Sequence, residues 1–287
     1  DLLVEVVALF PRRPEAEEEF SLKIAVVGRP NVGKSSLVNR MLGFDRVIVS
    51  DEAGTTRDAV DTQFRYMGKS YTIIDTAGMR RKRSIEDESV EDYSVMRSIS
   101  AISRADVVMI VFDSSEEISE QDVRIAGYVH EQGKPNIIVM NKWDKVEKDA
   151  HTVEKFNDKL KTELAFMDYY KAVYISAATG QRTEKLIGLC DEVFVNASQR
   201  ISTGVINDVI AEAVAMNEPP THSGRRLKIL YATQPETNPP KFVIFVNDEK
   251  LVHFSYRRYL ENYLRKSFDF SGTPIKLIFN SRKEDKQ

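Results

Sequence analysis

Between Phe20 and about Arg200, short apolar runs alternate with longer segments in which apolar residues recur every three or four positions. The short runs are typical of buried β-strands, and the longer segments are typical of amphipathic helices. The predicted strands are 22–27, 60–66, 71–75, 107–112, 136–140 and 172–176. The predicted helices are 34–42, 88–104, 120–132, 152–165 and 184–198. This alternation predicts an α/β fold, with a mostly parallel sheet covered by helices on both faces.

The pattern changes at Ile201. A helix is predicted over 205–216 and ends before two consecutive prolines at 219 and 220, which cannot continue a helix. Strands are predicted over 227–232, 242–246 and 275–279, and a second helix, 256–267, lies between the last two strands. The sequence therefore predicts a small α+β domain over residues 201–287.

Residues 1–19 fit neither pattern. Residues 1–10 are apolar, residues 11–14 contain two prolines, and residues 15–19 are mainly glutamate. The segment 2–6 also echoes 189–193, because Leu, Glu and Val recur at the same spacing. We interpret residues 1–10 as the last helix of an earlier copy of the α/β domain, and the rest as an acidic linker.

Charge is distributed unevenly along the chain, although the net charge is only −3. Residues 1–199 carry 27 Lys and Arg against 34 Asp and Glu, whereas residues 200–287 carry 14 against 10. The C-terminal domain is therefore the part better suited to contact nucleic acid. No apolar run approaches the ~20 residues of a transmembrane helix. The single cysteine, Cys190, lies among apolar helix positions, so we expect it to be buried and reduced, which fits a cytoplasmic protein.

A phosphate-binding loop is predicted between strand 22–27 and helix 34–42. Its residues are Gly28, Arg29, Pro30, Asn31, Val32, Gly33, Lys34 and Ser35, which match Gly-x-x-x-x-Gly-Lys-Ser/Thr. The glycines allow successive N–H groups to face a phosphate chain, and the positive end of the helix adds to the attraction. Lys34 would reach the β- and γ-phosphates, and the Ser35 hydroxyl would bind Mg²⁺.

Two further segments suit the γ-phosphate and its magnesium ion. The residues at the end of strand 71–75 that are predicted to contact the nucleotide are Asp75, Thr76, Ala77, Gly78 and Met79. Asp75 would hold Mg²⁺ through water, and the Gly78 N–H would reach the γ-phosphate. In the polar segment 53–58, Thr56 would coordinate Mg²⁺ and sense the γ-phosphate, with Thr55 as the alternative.

A guanine-binding motif follows strand 136–140. It consists of Asn141, Lys142, Trp143 and Asp144. The Asp144 carboxylate can accept from both N–H donors of guanine, and adenine offers neither donor at that edge. Asn141 would hold loops together, the Lys142 stem would cover the base, and Trp143 is expected to pack in the core. Backbone N–H groups of Ser176, Ala177 and the residue after them would meet the guanine O6.

In order and spacing, these four motifs resemble those of the translation-factor-related GTPases, and their detailed forms resemble the Era/MnmE/Der group. Asn-Lys-Trp-Asp and the segments 207–210, 213–217 and 245–247 resemble the bacterial double-GTPase family Der, also called EngA. The resemblance implies a remnant of a preceding G domain and a linker (1–19), a GTPase domain (20–200) and a KH-like domain (201–287). It also implies a cytoplasmic, monomeric GTPase that acts in assembly of the large ribosomal subunit. Its implied partners are that subunit, its rRNA and the chain's own upstream G domain.

Met79 stands where Ras-type enzymes place the glutamine that orients the attacking water, so slow intrinsic hydrolysis is expected. The resemblance implies that Asn31 helps to bind K⁺ beside the phosphates. Such a cation would stabilise charge in the transition state. The predicted catalytic residues are Asn31, Lys34, Thr56 and Gly78.

Two other functions remain open: a ribosome-assembly scaffold with marginal hydrolysis, and a related GTPase of tRNA modification. Residues 80–83 are either an RNA contact or a solvated loop. Residues 201–287 contain no Gly-x-x-Gly, so clamping of single-stranded RNA is not predicted.

Overall fold

The computed structural model describes residues 20–45, 47–49, 61–76, 98–222 and 224–281. The strands are β1 (Ser21–Val27), β2 (Val47–Val49), β3 (Thr62–Tyr66), β4 (Lys69–Ile73), β5 (Val107–Asp113), β6 (Asn136–Asn141), β7 (Lys171–Tyr174), β8 (Thr221–His222), β9 (Arg225–Arg226), β10 (Ile229–Glu236), β11 (Lys241–Val246) and β12 (Lys276–Ser281). The helices are α1 (Lys34–Leu42), α2 (Glu120–Glu131), α3 (Thr152–Glu163), α4 (Lys185–Ser198), α5 (Thr203–Met216) and α6 (Phe254–Ser267). Residues 98–104 are also helical.

Seven strands form the larger sheet, in the order β2-β3-β4-β1-β5-β6-β7. β1 pairs in parallel with both β4 and β5, and β5, β6 and β7 continue the parallel arrangement. The order of the strands reverses beside β1, and ligands of open α/β sheets bind at such a point, outside the carboxyl ends of the strands. The phosphate-loop sequence begins immediately after β1.

Apolar residues on both faces of the sheet explain why its central strands are hydrophobic throughout. Leu22, Ile24 and Val26 of β1 pack in a core with α1 and α4. Ala25 and Val27 belong to the core on the opposite face, which α2, α3 and residues 98–104 cover. Both faces are therefore dry, as expected for a parallel sheet between two helical layers.

The C-terminal part forms a separate three-stranded sheet with the order β10-β11-β12. β10 and β11 are antiparallel, whereas β11 and β12 are parallel and are connected through α6. Helices α5 and α6 cover one face, with Ile206, Leu260 and Leu264 fully buried against the strands.

The two sheets are connected through a short segment that precedes β12. The Gly272 N–H donates to the Tyr169 carbonyl over 2.6 Å, and the Gly272 carbonyl accepts from the Asn136 N–H over 2.7 Å. The Thr273 hydroxyl donates to the carbonyl of Val193, on α4. The C-terminal unit thus contacts the first residue of β6, whose last residue, Asn141, belongs to the predicted guanine motif.

The predicted α/β class and the smaller C-terminal α+β unit are confirmed, and most element ends agree within two residues. Several features differ from the prediction. β4 ends at Ile73 instead of residue 75, the edge strand β2 was not predicted, and β3 pairs in antiparallel fashion with β2 on one side and with β4 on the other. β10 ends at Glu236 instead of residue 232, and the short antiparallel pair β8–β9 was not predicted. Residues 88–97 of one predicted helix lie outside the described residues. Within the described part of the chain, every helix is too short or too polar to cross a bilayer.

Candidate nucleotide-binding site

Two glycines shape the phosphate loop. Gly28 has φ 151°, and a Cβ atom there would lie 2.4 Å from the carbonyl oxygen of Val111 on β5. Gly33 has φ 99°, and a Cβ atom there would lie 2.3 Å from the Asn141 amide nitrogen. Both positions require glycine because the backbone is left-handed and the neighbouring strand ends are too close for a side chain.

Lys34 lies over the loop that it follows. Its ammonium group donates to the carbonyls of Gly28 (2.7 Å) and Arg29 (2.6 Å). Ser35 is exposed in the first turn of α1, where backbone N–H groups have no partners within the helix. Asn31 is exposed at the tip of the loop, with φ 64°. These side chains surround the positive end of α1, which suits an anion.

Arg29 anchors the loop from outside, a role that sequence reasoning did not assign to it. Its guanidinium lies 2.6 Å from a carboxylate oxygen of Glu116 and 3.1 Å from one of Asp122. Asp122 also completes a capping box with Ser119 at the start of α2. The phosphate loop is therefore tied to the connection that follows β5. The spacing of charges along the chain could not reveal this contact, because 87 residues separate Arg29 from Glu116, and Asp122 lies still further along the chain.

Asn141 joins the phosphate loop to the loop after β7. Its amide nitrogen donates to the Val32 carbonyl over 2.8 Å, and its amide oxygen accepts from the Ala177 N–H over 2.9 Å. The side chain is almost fully buried. The predicted linking role of Asn141 is thus present in the geometry. A buried amide with both ends satisfied has little freedom to move.

The next residues of the motif present charge at the same edge. Lys142 has φ 60°, and its ammonium lies 2.5 Å from the Asp113 carboxylate at the end of β5. Burial alone would raise the pKa of Asp113, but hydrogen bonds from Lys142 and Ser115 outweigh it, so the pKa is lowered. Asp144 is exposed, and a hydrogen bond from the Ser176 hydroxyl holds the pKa of its carboxyl below the usual value. Asp144 is therefore an ionised acceptor at neutral pH.

Backbone groups of the loop after β7 are already engaged with protein. The Ser176 N–H donates to the Gln181 carbonyl (3.1 Å), and the Ala177 N–H is held by Asn141. Arg40, on α1, donates to the carbonyls of Ala177 and Ala178. The predicted donors Ser176 and Ala177 are therefore in place at the site, but a base would have to compete for their N–H groups.

Trp143, the only tryptophan of the chain, faces away from this edge into the core. Its ring lies 4.5 Å from that of Tyr174 and 5.1 Å from that of Phe156. Only 2% of the side chain is exposed. The prediction that Trp143 is a packing residue is confirmed.

Asp75 lies two residues beyond the end of β4, in a turn with φ 55°. Its N–H donates to the Asp61 carboxylate over 3.0 Å, and Asp61 is paired with Arg104. Thr76 is buried, with its hydroxyl 2.8 Å from that of Thr62. Four other predicted site residues, and the segment 80–83, lie outside the described residues: Thr56, Ala77, Gly78 and Met79.

The carboxyl edge of the sheet thus carries a phosphate loop at β1, an acidic turn after β4 and a base motif at the end of β6. A P-loop domain with an Asn-Lys-x-Asp motif at that place belongs to the class of guanine-nucleotide-binding domains.

The family models and the relatives named GTPase Der that match this chain agree with this class. The family described as 50S ribosome-binding GTPase matches residues 23–142, and the KH-domain-like family of EngA bacterial GTPase enzymes, C-terminal, matches residues 200–280. GTPase Der of Agathobacter rectalis is 53% identical over 286 residues, covering 99% of this chain and 65% of the relative. GTPase Der of a Geobacillus species is 55% identical over 284 residues, again with 65% of its length covered. A solved structure of an Aquifex aeolicus Era variant bound to GDP·AlF₄⁻ is 23% identical, covering 90% of this chain and 91% of that one, with a TM-score of 0.45.

The chain belongs to the Der (EngA) family of GTPases. It spans about two thirds of the length of these relatives (65%).

Proposed function

We propose that this chain binds guanine nucleotides with Mg²⁺ and hydrolyses GTP to GDP and phosphate. The observation that carries the proposal is the position of Asn141, which joins the phosphate loop to the loop after β7. One buried side chain thereby holds the candidate phosphate site and the candidate base site in register. Guanine would be selected by the ionised Asp144 at this edge.

The phosphates would replace the loop carbonyls as partners of Lys34. Mg²⁺, bound by Ser35 and Thr56 directly and by Asp75 through water, would neutralise charge on the β- and γ-phosphates. Gly78 would offer its N–H to the γ-phosphate. β1 and β4 are neighbours in the sheet. Ser35 lies at the start of α1, after β1 and the phosphate loop, and Asp75 lies two residues after β4. Their hydroxyl and carboxylate oxygens are ligands that Mg²⁺ prefers.

The guanine specificity is tested by Asp144→Asn. The substitution exchanges one acceptor for an amide donor, which suits the C2 carbonyl of xanthine and not the C2 amino group of guanine. Calorimetric titrations should show that wild-type protein prefers GDP over XDP and ADP, and that the variant prefers XDP. If the variant and the wild type share the same order of preference, Asp144 does not read the base.

We further propose that hydrolysis is slow without a partner and is stimulated by K⁺. Asn31 supports this proposal, because its side chain is exposed at the tip of the phosphate loop. Met79 cannot orient the attacking water by hydrogen bonding. Another group must therefore assist hydrolysis, and a cation that stabilises charge in the transition state could do so. GTP turnover should be several-fold faster in KCl than in NaCl at equal ionic strength, and Asn31→Ala should remove the difference. Equal rates in the two salts would reject the proposal.

The biological role that we propose is a nucleotide-controlled step in assembly of the large ribosomal subunit, in the cytoplasm. The matches to the 50S ribosome-binding GTPase family and to the EngA-type C-terminal family support this role. We also propose that residues 20–200 and 201–287 are the GTPase and KH-like domains, and that residues 1–19 are the end of a preceding G domain. Sedimentation with purified subunits should show GTP-dependent binding to the large subunit. Co-sedimentation with the small subunit alone would instead favour a role in maturation of the small subunit.

A further inference from the structure

Arg40 occupies an unusual position for a surface arginine. It lies in the last turn of α1, the helix whose first residue is Lys34, and its side chain reaches the loop after β7. Its Nε lies 3.3 Å from the Ala177 carbonyl oxygen, and a terminal nitrogen lies 2.7 Å from the Ala178 carbonyl oxygen. One guanidinium therefore holds two consecutive carbonyls, and hydrogen bonds from a charged donor are the stronger kind.

Gly180, in the same loop, lies beside this guanidinium. Gly180 has φ 85°, and a Cβ atom there would lie 3.6 Å from the Arg40 Cζ and from one of its terminal nitrogens. The Gly180 N–H donates to the Ser176 carbonyl over 2.8 Å, which closes the turn around the arginine's two acceptors.

Holding a carbonyl also determines the direction of the next N–H. In a trans peptide the C=O and N–H groups point to opposite sides. The held Ala178 carbonyl turns the Thr179 N–H away from Arg40, and that N–H meets the Ser176 hydroxyl over 3.1 Å. By the same reasoning, the held Ala177 carbonyl turns the Ala178 N–H away from the arginine.

The N–H groups of this loop then divide into two kinds. Those of Ser176, Ala177 and Thr179 donate to protein acceptors. The fourth, that of Ala178, is oriented by Arg40. We propose that Arg40 is a positioning residue for guanine recognition, which directs the Ala178 N–H towards the C6 carbonyl of the base. This inference rests on the proposed guanine-nucleotide function and extends it to a residue outside the four motifs.

Arg40 and the phosphate loop share one helix, so the arrangement has a further consequence. Lys34 and Arg40 are six residues apart on the nine-residue helix α1. Two side chains thus connect the phosphate loop and its helix to the loop after β7: Asn141 in the interior and Arg40 at the surface.

Binding of three nucleotides distinguishes a specific role of Arg40 in recognition of the C6 carbonyl from a general effect on the stability of the site. GDP carries the C6 carbonyl and the C2 amino group, IDP lacks the amino group, and the 2,6-diaminopurine riboside diphosphate carries an amino group in place of the C6 carbonyl. In Arg40→Ala, GDP affinity should fall about tenfold or more, as expected for a group oriented by charged hydrogen bonds. The preference for GDP over the diaminopurine nucleotide should shrink, and the preference for GDP over IDP should stay.

Calorimetry with Mg²⁺ on wild type, Arg40→Ala, Arg40→Lys and Arg124→Ala provides the measurement. Arg40→Lys keeps a donor to one carbonyl and should recover part of the lost preference, and it carries the test if the alanine variant does not fold. Arg124, an exposed arginine on α2, is the matched control and should bind all three nucleotides as wild type does. An equal fall for all three nucleotides in the Arg40 variants, or no fall, would overturn the proposal. A wild type without preference for GDP over the diaminopurine nucleotide would instead reject the guanine-binding function itself.

Discussion

At the scale of single residues, the site depends on positions where no side chain fits. Gly33 approaches the Asn141 amide so closely that an added methyl group would lie 2.3 Å from its nitrogen. The same nitrogen donates to Val32, so any displacement breaks the contact between phosphate loop and base motif.

We therefore expect Gly33→Ala to reduce GDP affinity strongly and to lower the free energy of unfolding by about 1–3 kcal/mol, the usual effect of overpacking. The control is Gly188→Ala on α4, where a Cβ atom meets open space and alanine is the better helix former. Calorimetry and urea unfolding measure both effects. GDP binding equal to that of wild type in Gly33→Ala would show that the close approach to Asn141 is not needed.

Individual residues also show how far the sequence could predict this site. The phosphate loop and the base motif were predictable because each has a short sequence signature with a mechanism, and the elements around them have strong periodicity. The partners of Arg29 and Arg40 were not predictable. Arg29 contacts two carboxylates that are distant in the sequence, and Arg40 contacts two backbone carbonyls. Every residue has a backbone carbonyl, so the sequence does not indicate which carbonyls an arginine will contact.

At the scale of elements, the ends of the strands were the least predictable feature. The apolar run through Ile74 predicts a strand to residue 75, but pairing ends at Ile73 and Asp75 turns with positive φ. Ile74 is buried and donates to the Ile24 carbonyl, so burial continues after the strand has ended. The three-residue strand β2 was missed because two of its residues are exposed at the sheet edge, where no alternating pattern is imposed.

The last turn of α2 provides a pH-dependent contact between elements. His130 is half-buried, and its Nδ1 lies 2.9 Å from the Tyr169 hydroxyl in the segment before β7. Burial lowers the pKa of His130 below its ordinary value of 6.5. The unfolded chain therefore takes up a proton at a higher pH than the folded chain does. Stability should fall as the pH decreases from about 6.5 towards the folded pKa.

Urea unfolding at pH 7.5 and pH 5.5 measures this contribution. His130→Gln keeps a polar side chain that does not titrate, so its loss of stability between the two pH values should be smaller than that of wild type. His151, which is exposed on the surface, provides the control as His151→Gln and should leave the loss unchanged. A His130→Gln variant with the full wild-type loss would assign the pH dependence to other groups.

At the scale of the whole molecule, Gly272 is one of the residues through which the C-terminal unit contacts the larger sheet. Gly272 donates to the Tyr169 carbonyl and accepts from the Asn136 N–H, at the start of β6. β6 is buried along its entire length and ends at Asn141. The C-terminal unit therefore contacts one end of the strand whose other end carries the candidate base motif.

Steric exclusion at Gly272 allows this connection to be tested. Its φ is +72°, and an added Cβ atom would lie 2.5 Å and 2.9 Å from the two methyl carbons of Val193 and 3.0 Å from the Asn136 carbonyl oxygen. Gly224 has the same φ of +72°, but a Cβ atom there meets no atom of the described residues within 4 Å. The two positions share the backbone strain of a left-handed alanine and differ only in space.

Gly224→Ala should therefore lower the free energy of unfolding by about 1–2 kcal/mol, from backbone strain alone. Gly272→Ala should lower it by about 1–3 kcal/mol more, because Val193 and β6 must move apart. A double substitution, Gly272→Ala with Val193→Ala, removes the methyl groups that the new Cβ atom would strike. If contact with Val193 is the cause, the second substitution should cost less in the Gly272→Ala background than alone, and strictly additive effects would place the strain elsewhere.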